Sequence, residues 1–297
     1  MKLETPWAAG RLDVLRGTRR LLFGQMYEDP EVERAAFHRS GRVFCIASAG
    51  NTALQLSREH EVVACDINPV QLAYAERRAN GAPPEAGDAE RFMHLMRAFM
   101  PVVGWRRRIV RDFLAFSDTV EQLAFWREHL DTRRFRAGFD AFMSHAMLRA
   151  CYAAKFVSFL PSRFGAVMRK RLERGFALHA NASNPYIHAL LLGEAIEDPQ
   201  VIPSRVQFVS GDAAAILESS PSSCYDGFSL SNILDGATPA YRHRLVRAVR
   251  HAATRDAIVV LRSFSEPATQ TESNRPERDR AMLWGVVDIR SARTLYR

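Results

Sequence analysis

The chain has 297 residues, 47% apolar and 25% charged, with a formal net charge of +8. This length allows one large α/β domain or two small ones, and the composition argues against wholesale disorder. A basic balance suits an anionic partner, or solvated arginines with no partner at all. The cysteines Cys45, Cys65, Cys151 and Cys224 form no CxxC pair and no zinc-finger spacing, so free thiols in a reducing compartment are expected. No basic-then-apolar leader opens the chain, and no run reaches the ~18 apolar residues of a membrane span. A cytoplasmic protein, at most peripheral to the inner membrane surface, is expected.

Residues 1–40 are polar, Arg-rich and helical in pattern, broken at Gly24–Pro30, where a proline after two acids marks a turn or helix start. Arg42–Ala47 is predicted as a strand ending in Ser48-Ala49-Gly50. Asn51-Thr52 then offers an N-cap for a helix to about Arg58. Glu61–Cys65 is a second buried strand, ending at Asp66, and Asn68-Pro69 starts a helix to about Ala79. Strand, loop, helix, strand and acid form the opening of a nucleotide-binding doubly wound fold. Later strands are predicted at Arg205–Ser210, Asp226–Ser231 and Ala257–Arg262, the last apolar enough for a parallel sheet covered on both faces.

About 140 residues separate the second strand from the third, far more than a crossover needs. The excess is predicted as a basic helical subdomain at 88–182, inserted into an α/β domain made of 1–87 and 183–297. From Phe135, apolar residues recur at 139, 142, 143, 146, 147, 150 and 154 as one helical stripe, with a turn at Pro161–Gly165. Residues 131–175 carry ten basic side chains against three acids, a surplus of +7. That pattern fits a helix on an anionic membrane surface, or an ordinary helix with a core side and arginine stems.

The candidate ligand loops stand at strand ends, where open α/β sheets bind ligands. The loop Ser48-Ala49-Gly50-Asn51 has one glycine, fails the dinucleotide GxGxxG pattern, and suits a ligand without pyrophosphate such as S-adenosylmethionine. Asp66 is placed to accept both ribose hydroxyls, or to cap the next helix. Gly211-Asp212-Ala213 follows the third strand, where a carboxylate can meet an adenine amino group or again cap a helix. Ser231, Asn232 and Asp235 follow the fourth strand and face the reactive part of such a ligand. The Asn/Asp-Pro-Pro-aromatic tetrad of amino-group methyltransferases is missing.

Three patches, Gln25-Met-Tyr-Glu-Asp-Pro30, Ser48-Ala-Gly50 and Asp66-Ile-Asn-Pro-Val-Gln71, resemble the S-adenosylmethionine:diacylglycerol 3-amino-3-carboxypropyl transferases, the betaine-lipid synthases. The likeness covers about residues 20–290, the long basic insert included. It implies a class I methyltransferase-like (Rossmann-like) doubly wound sheet with a helical insertion, S-adenosylmethionine as co-substrate, methylthioadenosine as co-product and no metal. Asn68 and Gln71 would make polar contacts beside the ribose. Asp235, Glu28 and Asp29 are the candidate bases for an acceptor hydroxyl, with Tyr27 orienting. Tyr27 stands where the lipid enzymes are expected to carry Trp, so the acceptor is open between a diacylglycerol-like lipid and a small molecule. Two other functions compete: an ordinary methyltransferase using the same pocket, and a nucleic-acid-binding protein using the basic insert. The last would leave Asp66 and Asp212 without a ligand.

Overall fold

The computed structural model describes residues 5–9, 18–37, 40–151, 157–196, 205–269 and 271–295. Among them, six strands form one sheet: β1 (Arg42–Ile46), β2 (Glu61–Asp66), β3 (Val206–Ser210), β4 (Tyr225–Ser229), β5 (Ala253–Ser263) and β6 (Val286–Ser291). Their order is β3-β2-β1-β4-β5-β6, parallel except for β6, which runs antiparallel to β5. The helices flanking the sheet are α1 (Glu31–Ala36), α2 (Asn51–Leu56) and α3 (Pro69–Ala79). After α3 come α4 (Asp88–Phe99), α5 (Arg107–Leu114), α6 (Thr119–Phe125), α7 (Arg133–Phe142), α8 (His145–Cys151) and α9 (Phe164–Leu178). Next come α10 (Pro185–Leu192), α11 (Ala213–Ser219) and α12 (Pro239–Ala252).

Period-two alternation sets the layers. Val43, Cys45, Val62 and Ala64 pack against α1, α2 and α3 through Val32, Ala53, Leu56 and Leu72. Phe44, Val63, Phe228 and Val259 face the other way and pack on α11 and α12 through Leu217, Leu245 and Val249. Both faces are covered, as a parallel sheet requires. The doubly wound α/β architecture expected from the sequence is therefore present. The chain order reverses between β1 and β4, which places the switch point beside the Ser48 loop.

The helical region has a core of its own, built on Trp105, Phe113, Trp126, Phe135 and Phe176. Ile187 of α10 and Met282 from the β5–β6 connection join it, so this packing continues past residue 182.

Several local expectations are corrected. Residues 18–30 form no helix; their backbone groups are bonded by side chains of other elements, and regular structure within 1–40 is confined to a 3-10 turn at Pro6–Ala9 and α1, among the described residues. The cap of α2 is Gly50 in a left-handed conformation (φ 94°), not Asn51-Thr52. The stripe from Phe135 is broken at Met143–Ser144 into α7 and α8, and residues 152–156 lie outside the described residues. Several helices precede the turn at Pro161, and Gly165 already belongs to α9. β6 was not foreseen, and β5 starts earlier than Ala257.

Candidate active site

The first loop is shaped by two left-handed residues, Ser48 (φ 45°) and Gly50 (φ 94°). Gly50 N–H closes the turn on the Ala47 carbonyl at 2.7 Å. A side chain at residue 50 would be strained and would come within 3.3 Å of Ala75 on α3. This brings the loop beside Asp66. One carboxylate oxygen accepts from Ser48 N–H at 3.1 Å and the other from Asn68 N–H at 2.8 Å. Burial pushes the Asp66 carboxyl up to about 7, against the lowering effect of those two N–H groups.

Of the two roles weighed for Asp212 from the sequence, the helix cap is present. It caps α11 through Ala215 N–H at 3.0 Å, and it accepts from Tyr241 Oη at 2.6 Å and from Arg244 at 3.2 Å. Gly211 N–H donates to the Asp66 carbonyl at 3.0 Å and so ties the second and third loops together. The result is an open cleft whose lining includes Ser48, Asp66, Asn68, Gln71, Gly211, Asp212, Ala213, Ser231 and Asn232. Ala49, Gly50 and Asn51 support it without lining it. The sequence did not point to the apolar walls, which are Trp7, Leu22, Phe23, Ile46, Ile67 and Ile233.

Asn68 and Gln71 are committed elsewhere. Asn68 caps α3 through Val70 N–H (3.2 Å) and donates to the Arg20 carbonyl (2.8 Å). Gln71 accepts from Leu22 N–H and Phe23 N–H (3.0 and 3.1 Å) and donates to the Phe23 carbonyl (2.8 Å). Tyr74 Oη holds the Gly24 carbonyl at 2.7 Å, and Asn51 accepts from Met26 N–H at 2.8 Å. The Asp-x-Asn-Pro-x-Gln patch thus holds residues 20–23, with Tyr74 and Asn51 holding Gly24 and Met26, and the amides of Asn68 and Gln71 shape the pocket through that strap.

The four candidate catalytic groups lie behind the cleft wall. Ser231, also left-handed (φ 51°), donates a short hydrogen bond to Glu28. Glu28 is 5% exposed; its second oxygen has no hydrogen-bond partner and stands 3.5 Å from Arg262. Burial pushes its carboxyl up to about 7, with Arg262 and Ser231 pulling the other way. Asp235 accepts from Ser263 Oγ (2.7 Å), Phe264 N–H (3.0 Å) and Asn232 Nδ2 (3.3 Å), and burial lifts it to about 6. Asp29 is clamped by Arg280 through Nε at 2.5 Å and Nη2 at 2.8 Å, the bidentate pairing of a structural acid. Tyr27 accepts from Gln25 at 2.9 Å, and burial raises its phenol to about 12. Glu28 and Asp235 therefore reach the cleft through Ser231 and Asn232, whereas Asp29 and Tyr27 do not line it.

Sequence reasoning missed the group that fixes Glu28. Arg262 is fully buried and bonds Glu33 (2.5 and 3.0 Å), Asp279 (2.7 Å) and the Asp29 carbonyl (3.0 Å). Its signal was a charged residue closing an apolar strand. Among the described residues, no cluster of three or more His, Cys, Asp or Glu is placed to hold a metal ion, and no helix is long and apolar enough to cross a membrane. Comparison with protein-family models, with curated proteins and with solved structures gives no match.

Proposed function

We propose that the cleft binds S-adenosylmethionine on a class I methyltransferase-like sheet, and that the protein transfers its 3-amino-3-carboxypropyl group to an acceptor hydroxyl. The observation that carries this reading is the convergence of Asp66, Asp212 and the Ser231–Asn232 turn on one cleft at the switch point, with the half-satisfied carboxylate of Glu28 one hydrogen bond behind Ser231. The apolar walls suit a flat base, and Asp66 suits ribose hydroxyls.

In this reading the acceptor oxygen bonds to the γ-carbon of the methionine part. The carbon–sulfur bond breaks, its electron pair stays on sulfur, and methylthioadenosine leaves. The acceptor proton passes to Glu28 through Ser231 Oγ. A carboxyl with a pKa of about 7 is suited to take a proton at neutral pH. Asp235 positions Asn232 against the same end of the cleft. The acceptor is a diacylglycerol-like lipid or a small hydroxyl compound, met in the cytoplasm or at the membrane surface.

Methyl transfer from the same pocket is the second reading, and the products separate the two. Protein is incubated with lipid extract and S-adenosylmethionine labelled either in the methyl or in the carboxyl group. Carboxyl label on the acceptor, with methyl label retained in methylthioadenosine, is the expected result. Methyl label on the acceptor, with S-adenosylhomocysteine as co-product, would replace it with the second reading.

A further inference from the structure

Seven large apolar side chains are exposed among the described residues, and three of them fall within eight positions: Leu95 (47%), Phe99 (54%) and Val102 (61%). Their spacing of four and then three places them on one face of α4 and of the 3-10 turn Met100–Val103 that continues it. No residue of α4 is fully buried. An ordinary surface helix turns such a stripe inward; this one turns it out.

The stripe lies in a stretch of sequence rich in arginine. Residues 91–111 contain Arg91, Arg97, Arg106, Arg107, Arg108 and Arg111 and no acid. Arg97 is used inside, on the carbonyls of Ala189 and Leu190. The other five are exposed, with Arg91 and Arg108 making loose ion pairs to Asp88 (3.7 Å) and Asp112 (4.0 Å). At ~3.5 Å of chain per residue, the Cα atoms of Val102 and Arg106 are at most about 14 Å apart, so the exposed arginines of α5 begin one short loop beyond the apolar stripe.

We propose that this α4–α5 surface docks on an anionic lipid bilayer, with Leu95, Phe99 and Val102 entering the acyl boundary and the arginines meeting lipid phosphates. A second copy of the chain is a poor occupant, because it would bring the same cationic surplus to the contact. In the 131–175 segment, the membrane candidate from sequence, Arg133, Arg134, Arg136, Arg149, Arg163 and Lys170 are exposed, but the apolar stripe is mostly turned in: Phe135 is buried, Phe139, Phe142 and Met143 are half-buried, and Met147 is the large apolar side chain left exposed there among the described residues. Docking through α4 also has a route to the cleft. Glu90, in its first turn, accepts from Gly24 N–H and Gln25 N–H of the strap whose Leu22 and Phe23 line the pocket. The docking itself does not depend on the transferase reading.

The test is co-sedimentation of the full chain, without S-adenosylmethionine, with vesicles of phosphatidylcholine alone or mixed with phosphatidylglycerol. Binding is expected only with phosphatidylglycerol present, falling as salt rises. Leu95→Ser/Phe99→Ser/Val102→Ser is expected to weaken it by about tenfold or more, and Met147→Ser, on α8, to leave it unchanged. Arg106→Glu/Arg107→Glu, on exposed side chains, tests the surface through its charge should the triple variant fold poorly. Absence of binding to the mixed vesicles, or full binding by variants that unfold like the parent, would overturn the proposal. So would self-association lost in the triple variant, which would assign the face to a second copy.

Discussion

Arg262 has no exposed surface and lies against Glu33, Asp279 and Glu28. Removing a buried cation strands the acids it neutralises. Arg262→Met is therefore expected to cost about 3–5 kcal/mol in urea unfolding, and a cost below about 1 kcal/mol would mean that the acids relax without it. Glu28 contributes to the pH dependence, alongside Asp66, Asp235 and Asp279, whose carboxyls burial also raises. The Glu28 carboxyl is raised from 4.5 to about 7, chiefly by burial. Between those limits the folded chain keeps a proton that the unfolded chain has lost, so stability falls as pH rises through this window. Glu28→Gln should flatten that slope by up to about 3 kcal/mol in thermal or urea unfolding followed from pH 4.5 to 7.5. An unchanged slope would show that Glu28 is not one of the titrating groups. The positions of Asp66 and Asp212 were legible in the sequence because strand ends are recognisable from apolar runs. Glu33, Asp279 and Arg280 were not, since their partners lie up to 251 positions away and only the folded chain brings them together.

At the scale of elements, the strap over residues 20–26 has no regular structure and is held by side chains from its neighbours. Gln71 alone satisfies three of its backbone groups. Gln71→Ala is expected to destabilise the chain by about 1–3 kcal/mol and to speed amide exchange at Leu22 and Phe23. Protection unchanged at those amides would mean the strap is held without it. Composition made this segment look helical because polar, Arg-rich stretches usually are; what decides it is Asn68, Gln71 and Tyr74 taking its backbone bonds. The five parallel strands were legible as apolar runs bounded by turns. β6 was not, because Asp288 and Arg290, paired with each other at 2.5 Å, interrupt its apolar character at the sheet edge.

At the scale of the whole molecule, a surplus of residues between β2 and β3 was legible in the sequence, and helices occupy it. That α10 and Met282, from later in the chain, share the core of these helices was not legible. Net charge said little until placed: cations of both 131–175 and 91–111 are largely exposed, but exposed large apolar side chains cluster beside the second group only. The strands, the strap and the Arg262 network converge on one cleft, and the central claim is that this cleft holds a nucleoside sulfonium through Asp66. Titration calorimetry with S-adenosylmethionine on the parent chain and on Asp66→Ala tests it most directly. The expected result is saturable binding by the parent, weakened by about 1.5–3 kcal/mol, or roughly 10- to 100-fold, in a variant that remains folded. No binding by the parent, or equal affinity in the two proteins, would contradict it.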